Sequence, residues 1–207
     1  MCRLVESIKV EGGQLIHIEW HNLRFNEARS EAFGVEQAVN LQDLIVIPSD
    51  LSSGVYKCRV LYKEQIEAIE FQPYTPRKVE TLRLVDGGAI DYHLKLENRK
   101  ALNELLLQKG EADDILIVKD GCITDTSYAN TAFFDGTQWF TPDMYLLNGT
   151  QRRRLLAEGI LTEARITPAD LFKYTAAKPI NAMLDFEKTH CVTIHNYEFI
   201  FCRVDGI

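Results

Sequence analysis

The sequence predicts a mixed α+β protein of two domains, and three observations lead there. Short runs of alternating apolar and polar residues recur along the chain, and only a few stretches switch to a helical period. A break at QPYTPRK, with Pro73 and Pro76, separates a first strand-rich unit from a second. The expected division is a small N-terminal α+β domain over 1–75 and a larger C-terminal mixed domain over 76–207. A chain of 207 residues with 46% hydrophobic content has enough apolar surface for such cores.

The elements follow in order. RLVESIKVEGGQLIHIEW alternates around Gly12-Gly13, which predicts a hairpin from Arg3 to Val10 and from Gln14 to Ile18. EWHNLRFNEARSEAFG changes period: Trp20, Leu23, Ala28 and Ala32 fall near one helix face, and Gly34 supplies a stop. Two strands follow, about Val55 to Tyr62 and Ile66 to Gln72. Beyond the break, VETLRLV reads as a strand, LENRKALNELLLQKG as a helix ending at Gly110, and DDILIVKDGCITD as a strand pair turning at Asp120-Gly121. TAFFDGTQWFTP is a hairpin about Asp135-Gly136. NGTQRRRLLAEGI opens a helix with Asn148 and Thr150 as cap candidates, and TPADLFKY another, with Thr167 capping and Pro168 first. The ending HCVTIHNYEFIFCRV is strand-like.

A net charge of −7 argues against a protein whose main task is gripping nucleic acid phosphates. No run approaches membrane-spanning length, and Glu6 comes too early for the apolar core of a signal peptide, so a cytoplasmic protein without a membrane partner is expected. Five cysteines without a Cys-x-x-Cys pair suggest a reducing compartment and inert thiols. His190 and His195 lie five apart on a strand-like stretch, which points them to opposite faces, and no metal site is expected.

Four places carry candidate chemistry, each with an ordinary alternative. Lys95, between Leu94 and Leu96, would be a neutral nucleophilic amine if buried, although most lysines are solvated. Arg24 lies three residues after His21 and could fork onto a phosphate or carboxylate, although an arginine on a helix is more often solvated. NGTQRRRLL offers a helix start whose free N–H groups suit an anion, with Gly149 permitting close approach. Turn chemistry is the plain alternative there, and Arg152, Arg153 and Arg154 read most simply as a solvated face. CITDTSYANTAFF sets Asp125 and Asn130 in a polar loop between strands, which could be only a connection.

Taken in order, the four resemble the fold type IV pyridoxal-phosphate (PLP) enzymes, the class IV aminotransferase and aminodeoxychorismate lyase family, from about Glu6 to Phe186. The resemblance implies a D-amino acid aminotransferase-like PLP fold with its site between the domains. ESIKVEGGQLIHIEWHNLRFNEA is similar to that family's opening strand, hairpin and helix, whose His-x-x-Arg pattern makes Arg24 the phosphate arginine. LKLENR resembles the segment of the cofactor lysine, which implies that Lys95 carries PLP covalently and that Asn98 is the Asn common three residues later. ITDTSYANTAFF is similar to the loop that sets an acid beside the pyridine nitrogen, with Asp125 where the family usually has Glu and Asn130 as the loop's Asn. LLNGTQRRRLL resembles the family's Gly-Ile-Thr-Arg helix start, so Gly149, Thr150 and Gln151 would offer main-chain donors to the phosphate, with Thr150-Gln151 replacing Ile-Thr.

The activity this implies is that of a PLP-dependent lyase or aminotransferase. The leading expectation is an aminodeoxychorismate lyase-like enzyme that eliminates pyruvate from 4-amino-4-deoxychorismate to give 4-aminobenzoate for folate synthesis. An amino acid aminotransferase of branched-chain or D-amino acid type is the alternative, and a non-catalytic relative that keeps the fold is a third. A small-molecule amino substrate and a homodimer are the implied partners.

Overall fold

In a computed structural model of the chain, residues 2–190 and 192–193 are described. The first sheet is antiparallel and four-stranded, in the order β2-β1-β3-β4. Its strands are β1 (Leu4–Glu11), β2 (Gln14–Leu15), β3 (Val55–Tyr62) and β4 (Ile66–Pro73). Gly12 and Gly13 both take positive φ, the conformation that a two-residue hairpin turn demands and that glycine adopts without strain. The second arm stops at Leu15, short of the expected Ile18, because the chain turns at His17 in the left-handed region and enters α1 (Ile18–Phe33). Gly34, also at positive φ, ends that helix as expected.

The helix buries a face turned from the one its apolar residues predict: Ala28 is in the core and Ala32 packs against it as expected, but Leu23 is not. His21, Arg24, Phe25, Ala28 and Arg29 are buried, whereas Leu23 is 48% exposed. The spacing is still helical, but three inward residues are polar, each with a partner inside. Phe25 and Ala28 join Leu4, Ile8, Val60 and Tyr62 in the core of this unit. The short α2 (Leu41–Leu44) closes one side, with Asn40 capping it through Gln42 N–H.

After residues 74–81, which carry neither helix nor strand, the second sheet begins. It comprises β5 (Leu82–Asp86), β6 (Asp114–Lys119), β7 (Cys122–Thr126), β8 (Asn130–Phe134), β9 (Trp139–Pro142) and β10 (Leu161–Ala164), in the order β10-β9-β8-β7-β6-β5. β11 (Ala176–Ile180) pairs with β8, and β12 (Val192–Thr193) pairs with β11. The rest of the strand-like ending, including His195, lies outside the described residues. Two connections join parallel neighbours: β5 reaches β6 through α3 (Lys100–Leu106), and β9 reaches β10 through α4 (Thr150–Ala157). In sheets with such crossovers, ligands gather outside the carboxyl ends of the strands. Both crossovers leave from such ends.

Three further expectations need correction. The helix predicted from LENRKAL starts only at Lys100, because residues 94–97 are drawn onto the edge of β1: Val5 N–H donates to Lys95 O (3.0 Å), Glu97 N–H donates to Arg3 O (2.9 Å), and Leu4 bridges Leu96. A 3-10 turn over Leu107–Lys109 then carries the chain to Gly110 at positive φ. Residues 168–173 form a 3-10 helix instead of an α-helix, with Pro168 first and the Asp170 carboxylate accepting from both the Thr167 N–H and its hydroxyl. Neither Asn148 nor Thr150 caps α4, whose N-cap is Gly149 and has no side-chain cap. Among the described residues no helix is long and apolar enough to cross a membrane.

Candidate active site

Arg24 reaches its place from α1 by gripping a carboxylate on β1. Its Nε donates to Glu6 Oε1 (2.9 Å) and its Nη2 to Glu6 Oε2 (2.6 Å), while His21 Nδ1 lies 2.6 Å from the same Oε2. Glu6 is fully buried. Burial alone would push its carboxyl upward, but the Arg24 charge and the bond from His21 outweigh that and hold it at about 2. Burial also lowers the pKa of His21, against the pull of Glu6, so the imidazole is neutral near pH 7 and donates through Nδ1. Arg24 Nη1 has no hydrogen-bond partner among the described residues, and Arg24 lines a cavity of about 460 Å³. Glu6 was not predicted as a site residue. A charged residue inside a run of buried strand positions was the only available signal.

Lys95 opens onto the same cavity, and its amine makes no hydrogen bond or ion pair among the described residues. Its main chain is fixed on β1 by the contacts that displaced the helix start. Burial, reinforced by Arg24 and opposed by Glu6, lowers the amine pKa to about 7. An uncharged amine is therefore well populated at neutral pH, as a nucleophile requires. Asn98 is exposed and its side chain accepts from Lys100 N–H, so it serves the start of α3.

Asp125 sits near the end of β7, paired in register with Asn130 of β8. Its Oδ1 accepts from Asn130 Nδ2 (2.8 Å), and its Oδ2 accepts from the N–H groups of Leu146 (3.2 Å) and Leu147 (3.0 Å). Burial raises this carboxyl to about 7, despite the three donors. The second Asn130 Nδ2 bond goes to Leu147 O (2.8 Å). Asn130 thus ties the acid loop to the segment that leads into α4. Leu146 and Leu147 act through their main chain, which left no sign in the sequence.

Gly149 follows directly, and its identity has a steric cause. Its φ of −66° suits any residue, but a Cβ there would overlap Asn130 Oδ1. Gly149 and Thr150 line the cavity, where the uncapped first turn of α4 presents free amides. Gln151 is buried away from the cavity wall: its Nε2 donates to Leu184 O (3.4 Å) and its Oε1 accepts from Arg154 Nε (3.3 Å). Each arginine of the run has a partner within the chain, so the plain alternative of a solvated face holds for none of the three fully. Arg152 is buried and bonds Pro142 O and Glu163, Arg153 pairs with Glu27 on α1, and Arg154 pairs with Glu158.

All the predicted cofactor residues except Gln151 therefore meet around one cavity, whose wall carries Arg24, Lys57, Arg77, Lys95 and Arg99 but, among the described residues, a single carboxylate, Asp125. In a chain of net charge −7 this is a local reversal of sign. The arrangement offers the free Nη1 of a fixed guanidinium and helix-end amides for an oxyanion, an unprotonated amine for a carbonyl, and a buried acid.

Comparison with known proteins agrees with this reading of the fold. Residues 66–186 match the family model of the class IV amino-transferases. A Haemophilus influenzae Rd protein of unassigned function is 35% identical over 185 residues, spanning 88% of this chain and 98% of that protein. Among solved structures, a candidate 4-amino-4-deoxychorismate lyase from Haemophilus somnus 129PT has a TM-score of 0.82 and 34% identity, covering 88% of this chain and 97% of that one. A hypothetical aminotransferase from Mycobacterium tuberculosis in a PLP-bound form has a TM-score of 0.73 at 16% identity, over 95% of this chain and 81% of that one, and shares the fold.

Proposed function

We propose, from the premise that the chain belongs to the class IV amino-transferase family, that it is a PLP-dependent enzyme of aminodeoxychorismate lyase type. The observation that carries the cofactor assignment is the Lys95 amine, unpaired and held at about 7 beside a phosphate-ready Arg24. The residues fit PLP. Arg24 Nη1 and the amide of Thr150 would hold the phosphate, and Asp125 would face the pyridine nitrogen. When bound, the cofactor supplies an electron sink for the carbanion formed at the substrate's α-carbon.

The chain's own residues supply the rest. Glu6 and His21 fix the guanidinium of Arg24, so phosphate affinity costs little ordering of that side chain. The Lys95 amine, poised near neutrality, can take a proton from the substrate's α-carbon and return it. Asp125, which accepts from three donors, would be the carboxylate partner of the ring nitrogen.

The lyase reading is supported by the Haemophilus somnus relative, and the reaction would release pyruvate and 4-aminobenzoate from 4-amino-4-deoxychorismate. A cytoplasmic homodimer acting on a small amino substrate belongs to the same reading. The test is an absorption spectrum of the protein with added PLP, then borohydride reduction and peptide mapping. A visible band trapped on Lys95, lost in Lys95→Ala, is expected. Asp125→Ala should keep the trapped band and lower turnover by about 100-fold. Turnover retained in Lys95→Ala sinks the assignment. Conversion of the bound cofactor to its amine form by an amino acid, without release of pyruvate, would replace lyase by aminotransferase.

A further inference from the structure

Asp125 depends on a loop for two of its three donors. The N–H groups of Leu146 and Leu147 belong to residues 143–148, which link β9 to α4 and carry neither helix nor strand. A segment with no ladder of its own needs other contacts to keep two amides on one oxygen. Arg152, in the first turn of α4, supplies them at three points. Its Nη2 donates to Pro142 O (2.9 Å) where the loop begins, its guanidinium carbon lies 4.4 Å from the centre of the Tyr145 ring midway, and its Nη1 donates to Asn148 Oδ1 (3.4 Å) where the loop ends.

Stability alone is a poor account of this arginine. It is 2% exposed, and its Nε has no hydrogen-bond partner among the described residues, which makes its burial costly. Its carboxylate partner, Glu163, is half exposed, where water screens the pair. A guanidinium cannot shed its proton, so its charge is felt inside the protein. The cations around Asp125 are Arg24, Lys57, Arg77, Lys95 and Arg99 on the cavity wall, and Arg152 outside that wall on α4. Of these charges, Arg152 is foremost in opposing the effect of burial on the Asp125 carboxyl. The two loop amides and the arginine's charge thus act in one direction, toward the carboxylate.

We propose that Arg152 is a positioning residue for Asp125: it fixes the loop whose Leu146 and Leu147 N–H groups hold Oδ2, and its charge favours the ionised acid that a ring nitrogen would meet. This rests on the cofactor reading above only for the use made of Asp125. Arg152 does not line the cavity, so it acts through the loop and the acid and not on a ligand.

The experiment is an NMR titration of the side-chain carboxyl carbons of the whole chain without PLP, the Asp125 signal being identified by its loss in Asp125→Asn. Arg152→Gln should raise the Asp125 midpoint by at least about one pH unit, a tenfold shift toward the protonated acid. Arg152→Lys keeps a charge but cannot reach both ends of the loop. It should give a smaller rise, with the Leu146 and Leu147 amides exchanging at least about tenfold faster than in the wild type. Glu163→Gln breaks the ion pair and spares the loop contacts, so its midpoint should stay within about 0.3 unit of the wild type. A folded Arg152→Gln whose Asp125 midpoint has not moved overturns the proposal, whatever its loss of stability. Should that variant not fold, an unmoved midpoint with unchanged amide exchange in Arg152→Lys overturns it. A rise in Glu163→Gln equal to that in the arginine variants also overturns it, because the ion pair would then account for the effect. Failure of the wild type to form a PLP band on Lys95 counts against the cofactor reading alone, because the titration contains no PLP and still decides the role of Arg152.

Discussion

Lys95 shows how far surroundings can move one group. A free lysine titrates near 10.4, roughly three units above the value of about 7 to which burial and Arg24 bring this amine. Only the unprotonated amine attacks a carbonyl, so the rate of PLP attachment should rise about tenfold per pH unit below 7 and level off above it. Stopped-flow absorbance across pH 5.5 to 9 would check this, and a rate still climbing steeply above pH 8.5 would show that Lys95 is not depressed. Lys95 and Arg24 were legible in the sequence because each stands in a short motif. Glu6 was not, since its role depends on what the fold sets against it, a guanidinium from another element.

Between neighbouring elements, the site depends on a steric fit that joins β8 to the start of α4. The backbone at Gly149 would accept alanine, so the cost of Gly149→Ala lies in the overlap with Asn130. Asn130 must turn away and give up its bonds to Asp125 and Leu147 O. We expect a loss of about 2 kcal/mol in stability and weaker PLP binding, measured by denaturant unfolding and by titration. Asn130→Ala combined with Gly149→Ala should cost less than the sum of the two, and strict additivity would remove the steric explanation. The periodicity of α1 was readable, but its buried face was not. His21 and Arg24 face inward because Glu6 receives them, and Arg29 because the carbonyls of Glu64 and Gln37 do. A hydropathy pattern scores such residues as solvent-facing and instead brings Leu23 inside.

Across the whole molecule, the break at 74–81 is visible in the sequence and divides the strands of the two sheets, but contacts cross it. Residues 94–97 run along β1, α1 packs on α4, and Arg153 bonds both carboxylate oxygens of Glu27. A single tryptic cut after the exposed Lys78 should therefore leave two fragments that elute together on size exclusion. Fragments that separate under native conditions would mean that the connection alone holds the units together. The pairing of residues 94–97 with β1 also bears on how the chain is made. Arg3 and Glu97, which join side chains as well as backbone, stand 94 residues apart. During synthesis the first sheet leaves the ribosome before its partner segment exists, so the amino-terminal half of β1 waits as an open strand edge able to pair with another nascent chain. The segment that brings the reactive lysine to its place is also the one that closes this edge, so one late step both ends the hazard and completes the site.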